Sequence, residues 1–116
     1  MPHLILELSS NIKTRPLNQL FDKLHHLLAE KLPTQLSNCR SRCMVHPLFF
    51  IGDQRIENAF VHLTLKILPG REDAKKKNLA KEIFDSLKDF FRSEENQLNI
   101  MFSVEILDLD GHYFKG

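Results

Sequence analysis

Tryptophan is missing from this chain and tyrosine occurs once; there are two cysteines, four glycines and five prolines among 116 residues. So few cysteines argue against a disulfide-stapled scaffold. So little glycine and proline exclude a collagenous or low-complexity chain. An excess of one charge is missing too, since 16 basic side chains face 15 acidic ones for a net +1. No global field draws the chain to nucleic acid or to a membrane surface, and any attraction for an anion has to come from a local cluster. Long apolar runs are absent as well. Leu4-Ile5-Leu6 is broken by Glu7, too short for a signal-peptide core, and nothing nears the length of a membrane span. The expectation is a cytoplasmic protein of one domain, residues 1–116, large enough for a single core.

What is present is a doubled pattern. Residues 2–8 alternate as a strand, with Pro2, Leu4, Leu6 and Leu8 on one side and His3, Ile5 and Glu7 on the other. Arg15-Pro16 opens an amphipathic helix in which Leu17, Leu20, Phe21, Leu24, Leu27, Leu28 and Leu32 recur at spacings of three and four, ending before Pro33. Residues 38–46 read as a second strand, and 49–57 as a short hairpin excursion turning at Gly52-Asp53. Ala59, Val61, Leu63, Leu65 and Ile67 give a third strand one wholly apolar face. A second helix follows over about 72–92, striped by Leu79, Ile83, Leu87, Phe90 and Phe91. The last strand, about 98–107, aligns Leu98, Ile100, Phe102, Val104 and Ile106.

Strand, helix, strand occurs twice, and each helical crossover is expected to join parallel strands. The predicted class is α+β: two β-α-β units forming a four-stranded mixed sheet with two helices on one face. The other face would carry His3, Ile5, Glu7, Phe60, His62 and Met101, too apolar to be left bare, so other subunits are expected to cover it.

Three features carry chemistry. Excision of Met1 before the small Pro2 would leave a secondary amine, and an α-amino group lowered by burial or neighbouring cations is a neutral base at cellular pH. Proline at position 2 is also simply a common chain start. Arg40 and Arg42 share a strand face, roughly 7 Å apart along the strand, and such a pair either faces open water or grips a carboxylate. Cys39, Cys43 and His46 spell a metal-like string, but an extended backbone spreads them too widely and no second ligand pair follows.

Met1-Pro2-His3, the strand-helix doubling, Arg40-Ser41-Arg42, the run Ala59–Ile67 and Gly70-Arg71 together resemble the 5-carboxymethyl-2-hydroxymuconate isomerases of the tautomerase superfamily. The resemblance runs from Pro2 to about residue 106. It implies a homotrimer with an active site at each subunit boundary, Pro2 as the base, and Arg40, Arg42 and Arg71 as binders of a di- or tricarboxylate enol, with no cofactor or metal. The chain departs from the family at Met44-Val45-His46-Pro47, across 49–57 and in its last five residues, which puts the substrate rather than the chemistry in question. A second reading keeps the fold without the catalysis, as an oligomeric anion- or partner-binding module. A nucleic-acid-binding domain would need a basic face interleaved with aromatics, whereas Arg40-Ser41-Arg42 runs into Cys43 and Met44.

Overall fold

Alternating leucines make β1 (His3–Ser9) a strand with one dry face: Leu4, Leu6 and Leu8 have no exposure at all. The computed structural model describes residues 1–13 and 16–116. After β1 come α1 (Asn18–Lys31), a 3-10 turn at Leu36–Asn38 and β2 (Arg40–His46). The second half repeats the order as β3 (Asn58–Ile67), α2 (Asp73–Phe90), a 3-10 turn at Arg92–Asn96 and β4 (Asn99–Asp108).

The sheet runs β2-β1-β3-β4. Within each half the strands are parallel, and the halves join through the antiparallel pair β1–β3, in which His3 lies opposite Lys66 and Leu8 opposite Val61. The predicted mixed sheet is thus one β-α-β unit used twice, its copies pointing in opposite directions. Both helices lie on the face lined by Leu4, Leu6, Leu8 and the alternate residues Ala59–Ile67. Leu20, Leu24 and Leu28 of α1 and Leu79, Ile83 and Leu87 of α2 complete the same core, with Phe91 fully buried beyond α2. Each such side chain removed from water contributes about 1.5–3 kcal/mol. No helix among the described residues is long and apolar enough to cross a membrane.

Several boundaries differ from expectation. Pro16 precedes α1 instead of entering its first turn; Leu17 is the first residue whose carbonyl accepts a helical bond, from the Phe21 N–H at 2.9 Å. Arg15 lies outside the described residues. At the other end Pro33 stops the helix as read, with Leu32 as its cap. The second strand begins at Arg40, because Asn38 and Cys39 donate back to Gln35 and Leu36 at 3.0 Å in the 3-10 turn. The second helix ends at Phe90 and tightens into the following turn.

The excursion over 49–57 is not a hairpin. The turn at Gly52-Asp53 is present, closed by Gln54 N–H donating to the Ile51 carbonyl at 2.9 Å. Neither arm of the turn forms a strand; the Asn58 side chain holds the loop instead, its Nδ2 donating to the Ile51 carbonyl at 3.1 Å and to Asp53 Oδ1 at 2.8 Å. Leu48 and Ile56 are left 91% exposed on that loop.

Candidate active site

Pro2 sits one residue ahead of β1, and its position is fixed by the neighbouring strand: the Arg40 N–H donates to the Pro2 carbonyl at 3.1 Å, extending the parallel β1–β2 ladder. Pro2 and Met1 are both buried. They wall a small cavity of about 70 Å³ at the end of the sheet where β1 starts and β3 finishes. Thr34, Asn38, Arg71 and Lys115 supply its polar wall; Leu32, Ile67 and Leu68 supply the apolar one. No carboxylate among the described residues lines it.

The Met1 amine donates to the Asn38 carbonyl at 3.4 Å. Burial lowers its pKa below the ordinary value near 8.0, the Arg40 and Lys115 charges lower it further, and Cys39 opposes the shift. A chain-terminal nitrogen at this spot is therefore biased towards the neutral form.

Arg71 belongs to this cavity. Its guanidinium donates from Nη1 to the Leu68 carbonyl at 3.0 Å and from Nη2 to the Leu32 carbonyl at 3.1 Å. Gly70 directs it there, with a φ of 111° that a side-chain-bearing residue resists. Arg71 precedes α2 as expected, yet its guanidinium is held by one carbonyl at the end of α1 and one just past β3.

The two strand arginines separate. Arg40 acts on the amine through its charge as well as holding Pro2 by its backbone. Arg42 lies two residues further along the same outer face, opposite Ile5, and neither arginine is part of the cavity wall. Its Nη1 reaches His3 Nδ1 at 3.4 Å, and His3 Nε2 lies 2.8 Å from the Tyr113 hydroxyl. Arginine has no acceptor, so Nδ1 accepts and the proton sits on Nε2 facing the tyrosine. Burial, then the chain-terminal amine and Arg42, depress the His3 pKa and hold the ring neutral.

Lys115 was not singled out from the sequence. A lysine near the end of an irregular tail carries no local pattern, and only the folded path brings it beside Pro2. His62, on the open face, is a hydrogen-bonded sheet residue: its Nδ1 lies 2.6 Å from Ser103 Oγ, and Nε2 lies 3.2 Å from Glu105 Oε1. Cys39 and Cys43 are free thiols, both raised in pKa by burial. At the opposite end of the sheet a larger cleft of about 290 Å³ lies between Asn11 and Lys13 on one side and Ser93, Gln97 and Leu98 on the other.

Known proteins are similar to this chain in sequence and fold. A 5-carboxymethyl-2-hydroxymuconate Delta-isomerase of Escherichia coli is 33% identical over 110 residues, spanning 92% of this chain and 87% of that protein. The crystal structure of a 5-carboxymethyl-2-hydroxymuconate isomerase from Deinococcus radiodurans R1 matches with a TM-score of 0.87 at 32% identity, over 98% of this chain and 88% of that one. A macrophage migration inhibitory factor-like protein from Entamoeba histolytica shares the fold, with a TM-score of 0.61 at 17% identity over 90% of this chain and 89% of its own. A family model for 5-carboxymethyl-2-hydroxymuconate isomerase matches residues 2–115, and the chain belongs to that family of isomerases.

Proposed function

We propose that this isomerase ketonises a di- or tricarboxylate 2-hydroxydienoate of the 5-carboxymethyl-2-hydroxymuconate kind, with Pro2 as the proton carrier once Met1 is removed. The observation that carries the proposal is the shared cavity of Pro2 and Arg71, cationic and free of lining carboxylates. Met1 itself fills part of this space, being 6% exposed, so its excision both bares the proline nitrogen and enlarges the cavity.

The neutral nitrogen takes the proton of the 2-hydroxyl. The oxygen's electrons form the 2-oxo bond, the double bonds shift to the 3,4 position, and the ammonium returns a proton to carbon 5. One group that works first as base and then as acid needs a pKa near the working pH; burial and the Arg40 and Lys115 charges lower the Met1 amine, and the same surroundings would act on the Pro2 nitrogen once Met1 is gone. Arg71 and Arg40 hold carboxylates and stabilise charge developing on the 2-oxygen. Arg40 and Arg42 share the outer face, and a neighbouring subunit would complete the site around them. No cofactor or metal enters the reaction.

The proposal includes a homotrimer. Ile5 and Phe60 on the open sheet face are half-buried and Met101 is 64% exposed, a surface that a second copy would cover. The test is ketonisation of 2-hydroxymuconate, followed by absorbance, for the wild type, Pro2→Ala and a form that retains Met1. Activity unchanged in either variant would remove Pro2 from the mechanism. Mass spectrometry of the native protein showing Met1 in place would favour a non-catalytic anion-binding module.

A further inference from the structure

The last seven residues follow a path that the sheet does not require. β4 ends at Asp108 beside Ile67, and the Leu109 N–H still donates to the Ile67 carbonyl at 2.7 Å. This is the end of the sheet at which β1 starts, since His3 lies opposite Lys66. Asp110 then builds a turn: its Oδ1 accepts from the His112 N–H at 2.7 Å, and its carbonyl accepts from the Tyr113 N–H at 3.1 Å. The turn sends the chain back across β3 to β1. There the Tyr113 ring stands edge-on to His3, with centroids 5.9 Å apart and planes at 81°, and its hydroxyl oxygen accepts a hydrogen bond from His3 Nε2 at 2.8 Å. Two residues later Lys115 reaches the rim of the Pro2 cavity.

We infer that Lys115 is a substrate-binding, specificity-determining residue that takes a carboxylate distal to the one held by Arg71, and that Tyr113 is the positioning residue that sets it there. The inference rests on the proposed chemistry at Pro2 and extends it to the choice of substrate. Arg71 approaches from the α1 side with two of its N–H groups already given to Leu68 and Leu32. A substrate with carboxylates at both ends needs a second cation in the cavity. Lys115 is the lysine on that wall, and no acidic side chain on the wall neutralises it. A point charge on a flexible stem suits a carboxylate whose distance varies between substrates, whereas Arg71 offers a fixed fork. An enol bearing one carboxylate makes no use of Lys115.

The experiment measures kcat and KM for 5-carboxymethyl-2-hydroxymuconate and for phenylenolpyruvate, which has a single carboxylate, on Lys115→Met, Lys115→Arg and Tyr113→Phe. Lys115→Met is expected to raise KM for the tricarboxylate roughly tenfold more than for phenylenolpyruvate, as loss of a charge-assisted hydrogen bond implies, with Lys115→Arg restoring most of the difference. Tyr113→Phe is expected to give a smaller rise of the same selectivity. Equal KM changes for both substrates, or a fall in kcat without a KM change, would overturn the assignment and leave the tail a structural strap. Pro2→Ala, run alongside, reports on the proton carrier alone: the Lys115 assignment is scored on the KM ratio, and the Pro2 assignment on kcat.

Discussion

Arg71 and Leu32 are joined by a 3.1 Å hydrogen bond from Nη2 to the carbonyl at the end of α1, while the same guanidinium faces Pro2. One side chain thus closes a helix and lines the cavity. Arg71→Lys keeps the charge but not the fork that spans Leu68 and Leu32. It is expected to cost about 1–2 kcal/mol of stability and to raise KM as well. Urea unfolding at constant m-value beside steady-state kinetics checks both; a change in KM alone would mean that the backbone contacts contribute nothing to the fold.

Gly70→Ala tests how Arg71 is aimed. A methyl group there would meet nothing within 4 Å, so the whole penalty is conformational, from the φ of 111°. Strain of that kind costs about 1–3 kcal/mol. The thermal midpoint should fall accordingly, and KM should rise if the backbone relaxes and swings Arg71 away.

The amine at the cavity should titrate with a defined sign. On the Met1 amine, Arg40 is the larger of the two charges that lower the pKa, after burial, and the Pro2 nitrogen exposed by Met1 removal is expected to feel the same charge. A base acts when neutral, so the rate rises as pH rises through its pKa. Arg40→Gln raises that pKa, and the ascending limb of the kcat/KM profile should move to higher pH. Arg42 is not among the charges acting on the amine, so Arg42→Gln should leave the limb in place. Equal movement in both variants would mean that the limb reports another group.

Acid should weaken the fold through two histidines. His3 and His25 are both depressed below the usual value of 6.5, burial being the largest cause in each. A depressed folded pKa means that the unfolded chain binds the proton more readily, so this stability is fully present above about pH 6.5 and is lost as pH falls through the lowered values. His25 packs against β2, its Nε2 2.6 Å from Ser41 Oγ. His25→Asn should therefore flatten the dependence of unfolding free energy between about pH 7 and pH 5. A wild type with equal stability at both ends would refute the assignment.

Met101 offers a test of assembly. It lies opposite Phe60 on the open face, 64% exposed. Met101→Lys should lower the mass seen by sedimentation and reduce activity in parallel if the sites need neighbouring subunits. A monomeric, fully active variant would separate the two.

Much of this architecture is legible in the sequence because the helix-facing side is nearly pure aliphatic. Strict alternation in Leu4–Leu8 and Ala59–Ile67, and the three-four spacing of Leu20–Leu28 and Leu79–Leu87, leave little choice of face. The excursion is a loop and not a hairpin, held where Asn58 bonds Ile51 and Asp53 through its side chain, a contact that strand propensity does not register. At the site, the shared face of Arg40 and Arg42 follows from alternation, but which of them acts on the chain-terminal amine depends on the β1–β2 register, set by Pro2 and Arg40. Lys115 is placed by a turn at Asp110 and a ring contact at His3, both long in sequence separation and invisible to any local window.

The antiparallel β1–β3 seam gives the chain two equivalent ends. What Leu32, Asn38 and Arg71 form around the start of β1, Ser93, Gln97, Asn11 and Lys13 form around the start of β4 and the entry to β3. One end receives a chain terminus; at the other, Glu57–Asn58 is an ordinary peptide bond with no basic nitrogen. Under the proposed mechanism, the twofold use of the unit therefore offers amine chemistry at one crevice of the two. Substitutions lining the second crevice leave the proposed proton carrier untouched, while those around the first act on it directly.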